Sequence, residues 1–222
     1  MLYNKNRQEN TTLGDIHTLD DIDRHIYTED EIKSFSFQNA VNSHLLARKP
    51  GPMRSKLAYS EVMKNMKPTT KYLLPGTVVL FGYANPKTAA DLPYYDATPM
   101  TLFFGITRTE DGNIREVGLN LHYYPPYTRL RVLQKALNTF SQFFIQQFNE
   151  DIHRPNRMIS WNRLKYLMSQ NLKIAFGVKM YIPSLRGRSY VLPTRLLPTA
   201  FYTEGHFSNA TIPQIQKFWR QF

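Results

Sequence analysis

Residues 128–149 carry the strongest periodic signal in the chain: Leu133, Leu137, Phe140, Phe144 and Phe148 follow one another at spacings of 4, 3, 4 and 4. That period puts them on one face of an α-helix, and a face of five large apolar side chains must be covered. The tract just before it supplies a cover. TVVLFGY (77–83), PMTLFFGI (99–106) and IREVGLNLHYY (114–124) are rich in β-branched and aromatic residues and read as three strands. Glu110-Asp111-Gly112-Asn113 is a hairpin turn signal, and Pro125-Pro126 ends the third strand. The expectation is an α+β fold: a small antiparallel sheet or partial barrel at about 75–125, packed on a long helix over 128–149 that Thr128 caps. Leu133, Leu137, Phe140 and Phe144 should meet the sheet.

Flanking segments are helical or short and extended. Ile16, Leu19, Ile22 and Ile26 form a short helical stripe that Asp15 or Thr18 caps, and Thr28–Glu31 has the capping-box pattern of a second helix running to about Ala47. Arg48-Lys49-Pro50-Gly51-Pro52 is a break. Residues 56–66 read as a helix with Leu57, Tyr59, Val62, Met63 and Met66 on or near one face. Ser160 caps a helix marked by Leu164, Leu167 and Met168. Residues 177–203 read as short extended pieces between prolines and Gly187, and Ile212, Ile215, Phe218, Trp219 and Phe222 make a short amphipathic helix at the end. The expected organisation is an acidic helical arm, 1–55, and one α+β domain, 56–222.

Charge is partitioned along the same lines. The 222 residues hold 28 Lys and Arg against 17 Asp and Glu, a net +11. Residues 1–34 are net −4 and residues 35–222 net +15, with Glu204 the only acid after residue 151. Such an excess points to a polyanion or an acidic protein partner, or serves solubility alone. Arg154, Arg157, Arg163, Lys165, Lys173, Lys179, Arg186, Arg188 and Arg195 alternate with Trp161, Tyr166, Tyr181 and Tyr190. Cations neutralise phosphates and aromatics stack on unpaired bases; the competing reading makes the aromatics core and the cations a solvated face. Arg186-Gly187-Arg188 is a basic turn able to approach phosphates closely.

The chain lacks cysteine, which excludes disulfides and cysteine-ligated zinc. No apolar run approaches the ~18 residues of a membrane span, so no membrane partner is expected, and the N-terminus lacks the apolar core of a signal peptide. Phosphate-cradling glycine loops, a nucleophile elbow and His-Glu-x-x-His are all missing, so no cofactor or metal is expected. Glu31-Ile32-Lys33 with Asp20, Asp21 and Asp23 is a fragment of the pattern that two-metal nucleases need, but it is common by chance. His122 reads as a packed, hydrogen-bonded strand residue or a general base, and Asp96 as a turn or capping residue.

Residues 75–133 carry a specific series of motifs: Pro75-Gly76, then Tyr83-x-x-Pro86-Lys87, Leu92-Pro93-Tyr94-Tyr95-Asp96, Gly118-Leu119-Asn120-Leu121-His122-Tyr123, Pro125-Pro126 and Arg129. Their order resembles that of a family of tailed-bacteriophage virion proteins, from T-even-like and marine phages, whose members are known as DNA end protectors. Phe207-Ser208-Asn209-Ala210 before a Trp-containing helix is similar to the family's ending. The resemblance implies a non-enzymatic virion component at a head–tail, DNA-terminus or tail/baseplate position, in a symmetric assembly with other virion proteins, its basic half meeting either packaged DNA or an acidic subunit. The alternative it leaves open is a sequence-independent DNA-end-binding protein that shields termini from exonucleases; a metal-dependent nuclease ranks last. The tyrosines of the motif, apolar bodies with hydroxyls that need partners, suit a wet interface or a partly covered sheet.

Overall fold

The computed structural model describes residues 51–66, 68, 73, 75–84, 95–148, 158–193, 196–208 and 210–220. The two helices expected in the arm, and the Asp20, Asp21, Asp23, Glu31 and Lys33 fragment, lie outside the described residues. Helix α1 spans Gly51–Lys64, so Gly51 and Pro52 open a helix five residues before the expected start. Proline is tolerated in a first helical turn, where its missing N–H has no partner to lose. Its buried stripe is Ala58 and Val62, both fully covered, whereas Leu57 and Tyr59 stand exposed, a correction to the expected face. Ala58 and Val62 are four apart and so lie one above the other, and the methyl of Ala58 leaves room for close approach to a neighbouring helix.

Five strands follow: β1 (Val78–Tyr83), β2 (Met100–Arg108), β3 (Ile114–Asn120), β4 (Val178–Tyr181) and β5 (Arg186–Val191). They pair antiparallel in the order β4-β3-β2-β1-β5. The β2–β3 hairpin closes through Gly112, whose φ of 80° is left-handed, and through Asp111, which accepts hydrogen bonds from Thr109 and Asn113. The last two strands come from the segment that reads only as short extended pieces.

Strands β4 and β5 are the two edges of the sheet, yet only residues 182–185, including a 3₁₀ turn at Pro183–Leu185, connect them. So short a link forces the edges towards each other, and the sheet curls into a partial barrel. Contacts across the opening show the closure. The rings of Phe81 and Tyr83 on β1 lie 5.2 Å from that of Tyr181 on β4, and the Tyr83 hydroxyl accepts from the Ile182 N–H at 2.9 Å. Leu73, Val79, Phe81, Phe103, Ile106 and Tyr181 fill the concave side.

The convex side is the main core. Val78, Leu80, Met100, Leu102, Phe104, Val117 and Leu119 meet helix α2 (Arg129–Phe148) and the C-terminal helices. With both faces covered, β2 is buried from Met100 to Thr107, as strands between two layers are. Helix α2 contributes Val132, Leu133, Ala136 and Leu137 to this core; each fully buried leucine is worth about 1.5–3 kcal/mol. The side chains of Phe140, Phe144 and Phe148 lie outside the description. Helices α3 (Trp161–Ser169), α4 (Leu172–Ala175), α5 (Leu197–Ala200) and α6 (Ile212–Trp219) complete the layer. The Ser160 hydroxyl caps α3 by accepting from the Arg163 N–H.

Two expected boundaries move. Strand β3 stops at Asn120, because the Asn120 side chain accepts from the His122 N–H at 3.0 Å and starts a 3₁₀ turn, Leu121–Tyr123. Thr128 does not cap α2: its hydroxyl donates back to the Pro125 carbonyl at 2.8 Å, inside a second 3₁₀ turn, Pro126–Thr128.

Candidate nucleic-acid interface

The polar residues of the 75–133 motif converge beneath the start of α2. Asp96, Asn120, His122 and Arg129 are all at most 5 % exposed. Asp96 is the hub. Its Oδ2 accepts from Asn120 Nδ2 at 2.9 Å and faces His122 Nδ1 at 3.0 Å, and its Oδ1 accepts from the N–H groups of Thr98 and His206 at 3.1 and 3.0 Å. Burial opposes the Asp96 charge, but the His122 ring and the other donors outweigh it and hold the carboxyl below its usual range. Burial likewise pulls His122 below its usual range despite the facing carboxylate, and Arg129 adds to that shift. We assign the His122 proton to Nδ1, pointing at Asp96, which leaves Nε2 facing the Thr203 hydroxyl at 3.1 Å.

Arg129 locks the second side. Its Nε donates to the Tyr124 carbonyl at 2.9 Å, and its Nη1 to the carbonyls of Phe201, at 2.6 Å, and Thr203. Burial brings the guanidinium down to about 9, with Asp96 and Glu204 pulling the other way. Together these groups tie the segment after α5 to the sheet. Residue 205 must be glycine for this: a Cβ there would sit 2.9 Å from His122 Cβ and 3.0 Å from Asp96 Oδ2.

Thr203, His122 and Asp96 form a hydroxyl–imidazole–carboxylate chain, the order that activates a nucleophile. Here it is sealed. Thr203 is 1 % exposed, and its one hydroxyl proton goes to the Ala200 carbonyl at 2.7 Å rather than to the His122 ring. A reacting group would have no side from which to approach, so the chain serves as a clamp. Among the described residues no group of His, Asp and Glu gathers as a metal site would.

Among the described residues, the motif tyrosines at 95, 123 and 124 are core rather than a wet surface. Tyr95, Tyr123 and Tyr124 are at most 4 % exposed. Tyr95 donates to the Tyr83 carbonyl, and burial raises its hydroxyl to about 12. The Tyr124 hydroxyl accepts from the Gly177 N–H at 2.9 Å and points at the Lys173 and Ile174 carbonyls, which closes the end of α4. Pro75 and Gly76 make the turn into β1, with the Gly76 N–H donating to the Phe103 carbonyl at 2.8 Å. Pro86, Lys87, Pro93 and Tyr94 lie outside the described residues.

The nine candidate cations divide into groups that the sequence does not separate. Arg154, Arg157 and Arg195 lie outside the described residues. Lys179 and Arg186 are turned inward. The Lys179 ammonium donates to the Phe176 carbonyl at 2.8 Å and sits 4.2 Å from the centre of the Tyr123 ring, and burial lowers its pKa to about 8. The Arg186 Nε reaches both carboxylate oxygens of Glu116, at 3.1 and 2.9 Å, and its Nη1 donates to the Ser189 hydroxyl at 2.6 Å. Burial raises the Glu116 carboxyl while Arg186 pulls it down.

Arg163, Lys165, Lys173 and Arg188 are exposed. The first three belong to the packed pair α3–α4, and Arg188 belongs to edge strand β5. Of the interleaved aromatics, Tyr166 is 67 % exposed on α3, whereas Tyr181 is buried. The exposed face of helix α2 carries Arg131 and Lys135 as well. Sequence reading passed over them because they sit in the helix with the strongest apolar signal, although their spacing opposite the Leu133–Leu137 stripe would have shown them.

A family model described as Phage T4 terminal DNA protecting protein matches residues 26–190. No curated protein and no solved structure matches the chain.

Proposed function

The chain belongs to the phage T4 terminal DNA protecting protein family, and from that premise we propose that it is a non-enzymatic virion component that binds the ends of packaged DNA and shields them from exonucleases. The observation that carries this beyond the family is the cationic surface: Arg163, Lys165, Lys173 and Arg188 stand exposed in a stretch, 158–220, whose only acid is Glu204. Cations so placed contact phosphates without reading sequence, which suits a protein that must accept any terminus.

In this reading the acidic segment 1–34 pairs with a basic surface of its own body or of a neighbouring subunit, and the protein joins the particle in the host cytoplasm. Leu57 and Tyr59, 45 % and 38 % exposed on helix α1, favour contact with another virion protein as well as with DNA. The test is exonuclease digestion of linear duplex DNA at increasing salt with the purified chain added. Protection that falls steeply with salt is expected, by roughly 0.9 log units of affinity per log unit of salt for each phosphate contacted. Protection that is absent, or that needs a second protein and survives salt, sinks the end-binding reading.

A further inference from the structure

Tyr127 is the most exposed large hydrophobic side chain among the described residues, at 72 %, and it stands on a firmly held turn. Pro125 and Pro126 fix the backbone before it. Thr128, after it, donates its N–H and its hydroxyl to the Pro125 carbonyl at 2.9 and 2.8 Å. The next residue, Arg129, is anchored inside by its guanidinium. A solvent-facing ring on so rigid a mount loses little freedom on meeting a partner.

Arg131 and Lys135 follow, both exposed. They are four residues apart and so lie on one ridge of α2, rising about 6 Å from one to the other. No Asp or Glu occurs anywhere from residue 125 to residue 149. An aromatic platform followed by two regularly spaced cations, in a stretch of chain that carries no acid of its own, complements a nucleic-acid strand that ends there: a π face for the last base and positive charges for the phosphates behind it.

We propose that Tyr127, Arg131 and Lys135 form a contact for a DNA terminus, with the Tyr127 ring stacked on the terminal base and the two cations on backbone phosphates. This rests on the end-binding reading above and names the part of the surface that tells an end from an interior site. Interior base pairs offer no free π face, whereas phosphates are the same at both.

The experiment compares binding of the full chain to two DNA molecules of equal length, a hairpin with one open end and a dumbbell closed at both, over a range of salt. The wild type is expected to prefer the open end. Tyr127→Ala should lose about tenfold in affinity for the open end, keep its affinity for the dumbbell and melt at the wild-type temperature, while Tyr127→Trp should retain the preference. Arg131→Ala and Lys135→Ala should each weaken binding to both DNAs and reduce the salt slope by about 1. An undiminished preference in Tyr127→Ala, or salt slopes unchanged in both cation variants, overturns the proposal while leaving end binding intact. A wild type that does not distinguish the two DNAs overturns the end-binding reading, and this proposal with it.

Discussion

The network under α2 and the exposed cations of α3, α4 and β5 are built from the same residue types and do opposite things with them. In the network every charge faces inward: Asp96 gathers four donors, and Arg129 donates hydrogen bonds to backbone carbonyls. On the surface Arg163, Lys165, Lys173 and Arg188 are exposed, even though the Lys173 ammonium also lies 5.8 Å from the centre of the Trp219 ring. A buried charge is costly to leave unpaired, so its worth is read in stability. A solvated charge contributes little to stability, and its worth is read in what it attracts.

The sharpest way to break this comparison is Asp96→Ala. It strands the donors of Asn120, His122, Thr98 and His206 together, and a loss of about 3–5 kcal/mol is expected in chemical denaturation. A loss below about 1 kcal/mol would mean the network is not the lock described. Gly205→Ala should cost about 1–3 kcal/mol in the same measurement, since the added methyl would crowd the Phe207 ring, His122 and Asp96 together.

Arg186 and Arg188 divide the two behaviours within three residues. Arg186→Ala leaves Glu116 buried without its guanidinium, so a loss of about 1–3 kcal/mol is expected with DNA affinity and its salt slope unchanged. Arg188→Ala should leave stability within about 0.5 kcal/mol of the wild type and lower the salt slope by about 1. Reversed outcomes would exchange the roles of the two arginines.

Acid provides a finer test. Folded His122 is held below the 6.5 of a free ring, so below pH 6.5 the unfolded chain binds the proton more readily. The contribution is therefore complete above pH 6.5 and falls as the pH drops, by at most about 1.4 kcal/mol per pH unit. Asp96, held below 3.8, adds a second loss as the pH falls through its own folded value. Stability measured by urea titration should lose the upper phase in His122→Gln, and the lower phase should shrink, because the ring is among the groups that hold Asp96 down. An identical profile in that variant would remove His122 as its source.

Much of the fold is legible in the sequence because its signals are local. The Leu133–Leu137 period marks α2, the Asp111-Gly112 turn marks the β2–β3 hairpin, and the texture of 77–83 and 99–106 marks β1 and β2. Strands β4 and β5 are harder to read. They are short, they carry Gly187 and charged residues, and their partners β3 and β1 lie some 60 and 110 residues earlier, beyond the reach of any periodicity. Asp96 has the same difficulty. Next to Ala97 and Thr98 it reads as a turn residue, and it does accept from the Thr98 N–H, but three of its four donors come from residues 120, 122 and 206.

The sequence by itself determined the α+β class, the basic excess after residue 151 and the family to which the chain belongs, since all three are properties of residues and their neighbours along the chain. The tertiary structure alone decided which of those charges are available. Arg186 and Arg188 differ in nothing the sequence can show. Curling of the sheet brings Glu116, seventy residues away, against one of them, and desolvation together with pairing removes that charge from the surface while the other stays in water.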